Sequence, residues 1–379
     1  MADASVSDLL VFLVVLALRL LVPLGIPRYP LPAILAAFVL DGLDQTVFQR
    51  FTALDLEFYQ GYDKALDVYY LTLAYIATLR NWANLVAFEV SRFLLYYRLV
   101  GVVLFELSQL RPILLLFPNT FEYFFDFYEG VRLRWDPRRL GRNAVLAAAA
   151  LIWIVIKLPQ EYILHVAQVD TTDWIKTTIF GVAAAASWGE ALANRPGVTV
   201  ALVLAIVALI LGGRWLVTHR LPPADHPPRL AADPIPAAVA ERSARRAVAP
   251  GPFRLTDPAV VEKVALVSLV AIIFAQVLPG VEAGVLSVAL GVLFVIVANA
   301  VLSTWLTRFG LTRVSTLRQF VALAAVNTAL IGLYAVLLPG RGESINGGAT
   351  LFFALLLTLI VTLYDRYRPL HLARFEQDG

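Results

Sequence analysis

Residues 197–217 read GVTVALVLAIVALILGGRWLV, a run of 21 residues in which Arg214 is the only charge. A bilayer core about 30 Å thick is crossed by ~20 mainly apolar residues in a helix, so this stretch reads as a transmembrane span. Similar windows recur on both sides of it, near 9–26, 32–53, 65–82, 84–105, 110–128, 143–158, 259–278, 284–306, 317–338 and 348–365. The composition of the whole chain agrees. Its 379 residues are 59% hydrophobic and 16% charged, with a mean hydropathy of +0.74, whereas soluble domains carry ~25% charged residues. The expected fold is an all-α, polytopic transmembrane helix bundle of about eleven spans in the cell membrane.

Orientation follows from arginine. Arg132, Arg134, Arg138, Arg139 and Arg142 crowd one short loop, six more fall between 218 and 258, and Arg366, Arg368 and Arg374 lie in the tail. Loops rich in Lys and Arg stay in the cytoplasm, so all three regions are expected inside, with the C-terminus cytoplasmic and the N-terminus outside. The basic balance, 27 Arg against 4 Lys, thus reports topology, and no nucleic-acid partner is expected. With no cysteine, disulfides and thiolate chemistry are excluded. The four histidines are too far apart in the chain to build a metal site by helical spacing.

Three regions follow from the same pass. Residues 1–217 form a charged N-terminal bundle of six or seven spans, in which 159–196 suits an interfacial segment. Residues 218–258, crowded with Pro, Ala and Arg, are expected to be an extended, flexible cytosolic linker. Residues 259–379 carry four plain apolar spans. Membrane lipids are the expected partners, and Arg242, Arg245 and Arg246 in the linker are placed to lie on anionic lipid.

The chemistry is concentrated between 41 and 106. A charge at the bilayer centre costs roughly 2.5–3.5 kcal/mol on insertion scales, so it faces a partner, water or a ligand. Asp41 and Asp44 share a helix face at i, i+3, and Asp63 and Asp67 share one at i, i+4. If the two helices form a hairpin, four carboxylates converge, and such a group needs protons or a cation to be stable in a dry site. An all-oxygen set suits Mg²⁺, Mn²⁺ or Ca²⁺. Capping of helix ends by these acids, or their pairing with Arg50, Lys64, Arg92 and Arg98, is the structural alternative. Glu89, Arg92 and Tyr96 fall on one face of the next helix; with Arg98 they read as a locking ion pair or as an ion or head-group path. The aromatic run from Phe117 to Tyr128 reads as an interfacial belt, broken by Pro118-Asn119.

The spacing Asp41-x2-Asp44, then eighteen residues, then Asp63-x3-Asp67 resembles the acid pattern of the CDP-alcohol phosphotransferases, membrane enzymes of phospholipid synthesis. The likeness covers about thirty residues and lies in the acids; Gln45 and Phe48 stand where that family has Gly and Ala. The resemblance implies that Asp41, Asp44 and Asp63 hold Mg²⁺ or Mn²⁺ and that Asp67 is the base on an acceptor hydroxyl. Two other functions fit the same acids: an ion- or proton-coupled transporter or channel, and a non-catalytic membrane scaffold.

Overall fold

The computed structural model describes residues 5–52, 59–248, 256–277, 284–308, 321, 323–329, 332 and 347–375. Among them there is no strand. The main helices are α1 (Val6–Leu21), α2 (Pro30–Phe51), α3 (Tyr59–Asn81), α4 (Leu85–Ser108), α5 (Pro112–Leu116), α6 (Thr120–Arg132), α7 (Arg142–Val166), α8 (Pro196–His219), α9 (Ala237–Val248), α10 (Pro258–Val277), α11 (Val285–Arg308) and α12 (Gly347–Phe375). Five segments are long and apolar enough to cross a membrane by length and composition: Val6–Gly25, Pro30–Phe51, Arg142–Val166, Pro196–His219 and Pro258–Gln276. An all-helical chain with several such helices is built as an integral membrane protein. More than half of the expected span at 317–338 falls outside the described residues.

Helix starts follow local chemistry. Ser5 caps α1 with a reciprocal box, its Oγ accepting from Asp8 N while Asp8 accepts from Ser5 N, which satisfies two of the free N–H groups at the helix start. Prolines open α2, α5, α8 and α10 at positions where a missing N–H costs nothing. Asn84 caps α4 by accepting from Ala87 N at 3.0 Å, while its amide donates to Pro137 O and Leu140 O. One side chain therefore fixes both a helix start and the turn after α6.

Among the described residues, several turns gather at one end of the bundle. Arg80 and Asn81 donate to Pro27 O, Arg374 donates to Trp82 O and Arg80 O, and Ala232 N donates to Arg28 O. Turns 27–30, 80–84 and 133–141, residues 220–233 and the end of α12 therefore meet at one arginine-rich end. There the Asp136 carboxylate, bonded by Arg138, is held below its usual range by those hydrogen bonds. The proline-rich stretch is docked rather than free: Asp225, His226 and Arg229 N–H groups donate to the carbonyls of Arg134 and Leu133. Proline removes donors from this stretch, yet the remaining N–H groups find acceptors in the 133–134 turn. The next piece is helical, α9, and Arg242 within it donates through Nε and Nη2 to Ala373 O. Arg242 thus ties down the last turn of α12, and Arg245 is exposed and paired with Glu241; the Arg246 side chain lies outside the described set.

The break at Pro118-Asn119 divides the fifth apolar segment into α5 and α6. Tyr70 bonds Glu122 and Trp82 bonds Glu129, so α6 runs alongside α3 toward the arginine-rich end. Gly101 of α4 makes the break possible. A Cβ there would stand 2.1 Å from Phe117 Cβ, closer than any packing tolerates. The aromatic residues after the break are core, not belt: Phe121, Phe124, Phe125 and Tyr128 are fully buried, and Trp82 stacks on Tyr128 at 3.8 Å. Their spacing of three and four puts them on one face of α6 against α3 and α4. In α7, helix continues past residue 158 to Val166 with two π-helical stretches, Ile152–Lys157 and Tyr162–Val166, on either side of Pro159.

Candidate functional site

α1 and α2 form an antiparallel hairpin closed by the short 3-10 turn Val22–Gly25, whose end is fixed by Ile26 N to Pro23 O and Tyr29 N to Gly25 O. Tyr69 OH then donates to Leu20 O at 2.8 Å, which locks α3 against the end of α1. These two constraints bring the acidic faces of α2 and α3 to the last turn of α1. What stands there is Arg19.

The Arg19 guanidinium bridges all four aspartates. Its Nη1 donates to Asp44 Oδ2 and, at 2.9 Å, to Asp63 Oδ1; its Nη2 donates to Asp41 Oδ1 and, at 3.1 Å, to Asp67 Oδ1. The Arg19 and Asp44 side chains are 3% and 1% exposed, while Asp41, Asp63 and Asp67 keep between 26% and 33% of their side-chain surface. The site is deep. Asp44 precedes the end of α2 by seven residues and Asp67 follows the start of α3 by eight, which is about 10–12 Å along a helix.

With every acid ionised, four carboxylates set against one guanidinium would leave three negative charges in excess among these five groups, an arrangement that protons or a cation relieve. Opposite charges in a low-dielectric interior attract strongly, but each extra carboxylate repels the other three. Asp41, Asp63 and Asp67 each offer an oxygen within 4.8 Å of the other two, so this triad could hold a metal ion. The donor set is all oxygen and anionic, which fits a hard divalent cation. Asp44 is outside that triad and is the acid most enclosed with Arg19.

All four acids that the spacing singled out are therefore together. Glu89, Arg92 and Arg98 stand elsewhere. Glu89 pairs with Arg92, and Arg92 reaches Glu262 of α10 at 4.0 Å; Glu262 also takes Arg368 of α12 at 3.0 Å and the Tyr75 hydroxyl. That cluster fastens α3, α4, α10 and α12 together. Arg98 donates to Phe117 O at 3.0 Å and lies 4.0 Å from Glu161. Each of these arginines holds a carbonyl or carboxylate from another element.

Two features escape a reading by acid spacing. Between Leu9 and Gly25 the only ionisable side chain is Arg19, and the cost of an intramembrane charge is enough to mark it. The second feature is an acidic stripe on α6, Glu122, Asp126 and Glu129, at spacings of four and three between the aromatic residues. Glu122 and Glu129 are buried. Glu122 accepts from Tyr70 OH at 2.5 Å and from Asn119 Nδ2 at 2.9 Å, and Glu129 accepts from Trp82 Nε1 at 2.9 Å and from Arg132 Nε. The same i, i+4, i+7 rule that finds apolar faces would have found this one.

No protein-family model, curated protein or solved structure matches this chain.

Proposed function

We propose that this chain is a multi-pass protein of the cell membrane with eleven crossings, its arginine-rich end and C-terminus in the cytoplasm. We further propose that Asp41, Asp63 and Asp67 hold one Mg²⁺ or Mn²⁺ ion in an enzyme acting on a phosphorylated lipid or alcohol. The observation that carries the reading is the convergence of four carboxylates from two helices on a shared guanidinium, with three of them close enough together to share an ion. The crossing number is supported by the way the loops sort, since an odd count places the arginine-rich turns and the end of α12 on one side. Exposed Arg245 on α9 stands at that end for contact with anionic lipid.

The residues divide by burial. Asp44, enclosed with Arg19, holds the guanidinium in place, and the three more open acids are free to turn toward a cation. Arg19 then keeps Asp44 and presents its remaining donors to a phosphate oxygen, a geometry suited to a planar guanidinium. Asp67, which the resemblance makes the base on the acceptor hydroxyl, is instead a ligand, because it belongs to the triad. When bound, the ion supplies charge neutralisation to the phosphoryl group. A second reading, ion- or proton-coupled transport, is favoured by one observation: polar groups continue from the acids into the bundle through Tyr70 and Glu122.

The test is a Mn²⁺ titration of purified protein followed by electron paramagnetic resonance. About one ion per chain is expected to bind, with affinity falling roughly tenfold or more in Asp41→Asn, Asp63→Asn and Asp67→Asn and holding in Asp44→Asn. Unchanged affinity in the three triad variants would remove the metal site. Proteoliposome flux of protons or cations that is abolished by Asp67→Asn would instead establish transport.

A further inference from the structure

We propose that Tyr70, Glu122, Asn119, Glu161 and His165 form a proton and water relay between the acid cluster and the end of the bundle opposite the arginines. The contacts are continuous over four elements. Tyr70 OH donates to Glu122 Oε1 at 2.5 Å, Asn119 Nδ2 donates to Glu122 Oε2 at 2.9 Å, Asn119 N donates to Glu161 Oε1 at 3.1 Å, and His165 Nε2 lies 3.0 Å from Glu161 Oε2. At its inner end Tyr70 follows Asp67 by three residues, on the same face of α3. At its outer end His165 lies in the last turn of α7, the end remote from Arg142, with a quarter of its side chain exposed.

Two further observations point to mobile hydrogen-bond partners at this place. Asn119 Oδ1 and Thr120 Oγ1 are buried and have no hydrogen-bond partner among the described residues. Buried polar atoms of this kind are met by ordered water, which needs polar partners on several sides; Glu122 and Glu161 flank this one. The helix that carries Glu161 and His165 is also irregular, with π-helical stretches before and after Pro159, and such wide turns occur frequently at functional sites.

Charged groups from several elements face the relay. Glu161 is faced by Arg98 of α4 and by Lys157 and His165 of its own helix. Glu122 is faced by Tyr70 of α3, by Lys157 of α7 and by Asp126 one turn along α6. A transfer inward breaks N–H at protonated His165 as O–H forms on Glu161. The Glu161 proton passes through water at Asn119 and Thr120 to Glu122. Glu122 then returns a proton to the Tyr70 oxygen as the Tyr70 hydroxyl proton leaves to water on the side of the acid cluster. One proton enters, one leaves, and no group is oxidised or reduced. The relay does not depend on which cation the acids hold.

The test is infrared difference spectroscopy of the full chain in lipid nanodiscs, switched from H₂O to D₂O between about pH 5 and pH 8, the range in which histidine titrates. Loss of a carboxyl band in Glu122→Gln assigns that residue. The relay predicts that the deuterium shift of this band slows roughly tenfold or more in His165→Phe and in Glu161→Gln. An unchanged exchange rate in both, or no Glu122 carboxyl band across the range, would overturn it. Should Glu161→Gln fail to fold, His165→Phe decides alone, because its side chain is partly exposed. Mn²⁺ affinity, read on the same samples, separates this result from the fate of the metal site.

Discussion

At the scale of single residues, Arg19 and its four acids are unequal partners. Removing one aspartate from the cluster lowers an excess of negative charge, whereas removing Arg19 takes away the cation that all four carboxylates share. Breaking a buried ion pair by deleting one side costs about 3–5 kcal/mol. Arg19→Gln is therefore expected to lower the melting temperature sharply in metal-free buffer, and added Mn²⁺ to restore much of the loss, because a ligand that binds only the folded state stabilises it. A melting temperature that ignores Mn²⁺ in this variant would count against a cation at the acids. The acids themselves were legible in the sequence, since i, i+3 and i, i+4 spacings on two neighbouring helices can be counted. Arg19 was equally open to reading as a charge in an apolar run, but nothing in its position says which acids it meets; that depends on the turn from Val22 to Tyr29.

At the scale of elements, the broken segment from Pro112 to Arg132 shows where reading by composition stops. Its proline break was predictable from Pro118, while its aromatic residues suit an interface as well as a core. Their actual place follows from Trp82 and from the close approach at Gly101, neither of which is adjacent in sequence. Gly101→Ala is expected to destabilise by about 1–3 kcal/mol through overpacking, measured by thermal unfolding. Gly42→Ala in α2, where a Cβ meets nothing within 4 Å, is the control, and helix propensity favours it by up to about 1 kcal/mol. Equal effects of the two changes would mean that the α4 contact with Phe117 does not set the break. The docking of residues 220–233 was beyond composition for a related reason: proline content reports stiffness, not which carbonyls the remaining N–H groups will find.

At the scale of the whole molecule, the arginine-rich regions that the sequence assigns to the cytoplasm come together at one end, although they are spread from Arg132 to Arg374. The absence of cysteine makes the sidedness directly measurable. Single cysteines at Ala224, beside the arginine-rich turn, and at Ala185, between α7 and α8, are expected to react with a membrane-impermeant maleimide from opposite sides, Ala185 from outside intact cells and Ala224 only after lysis. Labelling of both from one side would overturn the crossing order. The helices α1, α2 and α8 were clear in advance because length and grease suffice to define a span. The cluster at Glu262 was not, since a single acid near the start of an apolar run gives no sign that Arg92 and Arg368 will meet it.

The shared guanidinium also constrains how such a protein can change over generations. Loss of Asp41, Asp63 or Asp67 one at a time is expected to leave a folded chain, whereas loss of Arg19 is expected to be tolerated only after several acids have gone or another cation has become permanent. Drift at this quintet therefore has a direction: the acids go first, and the arginine goes last.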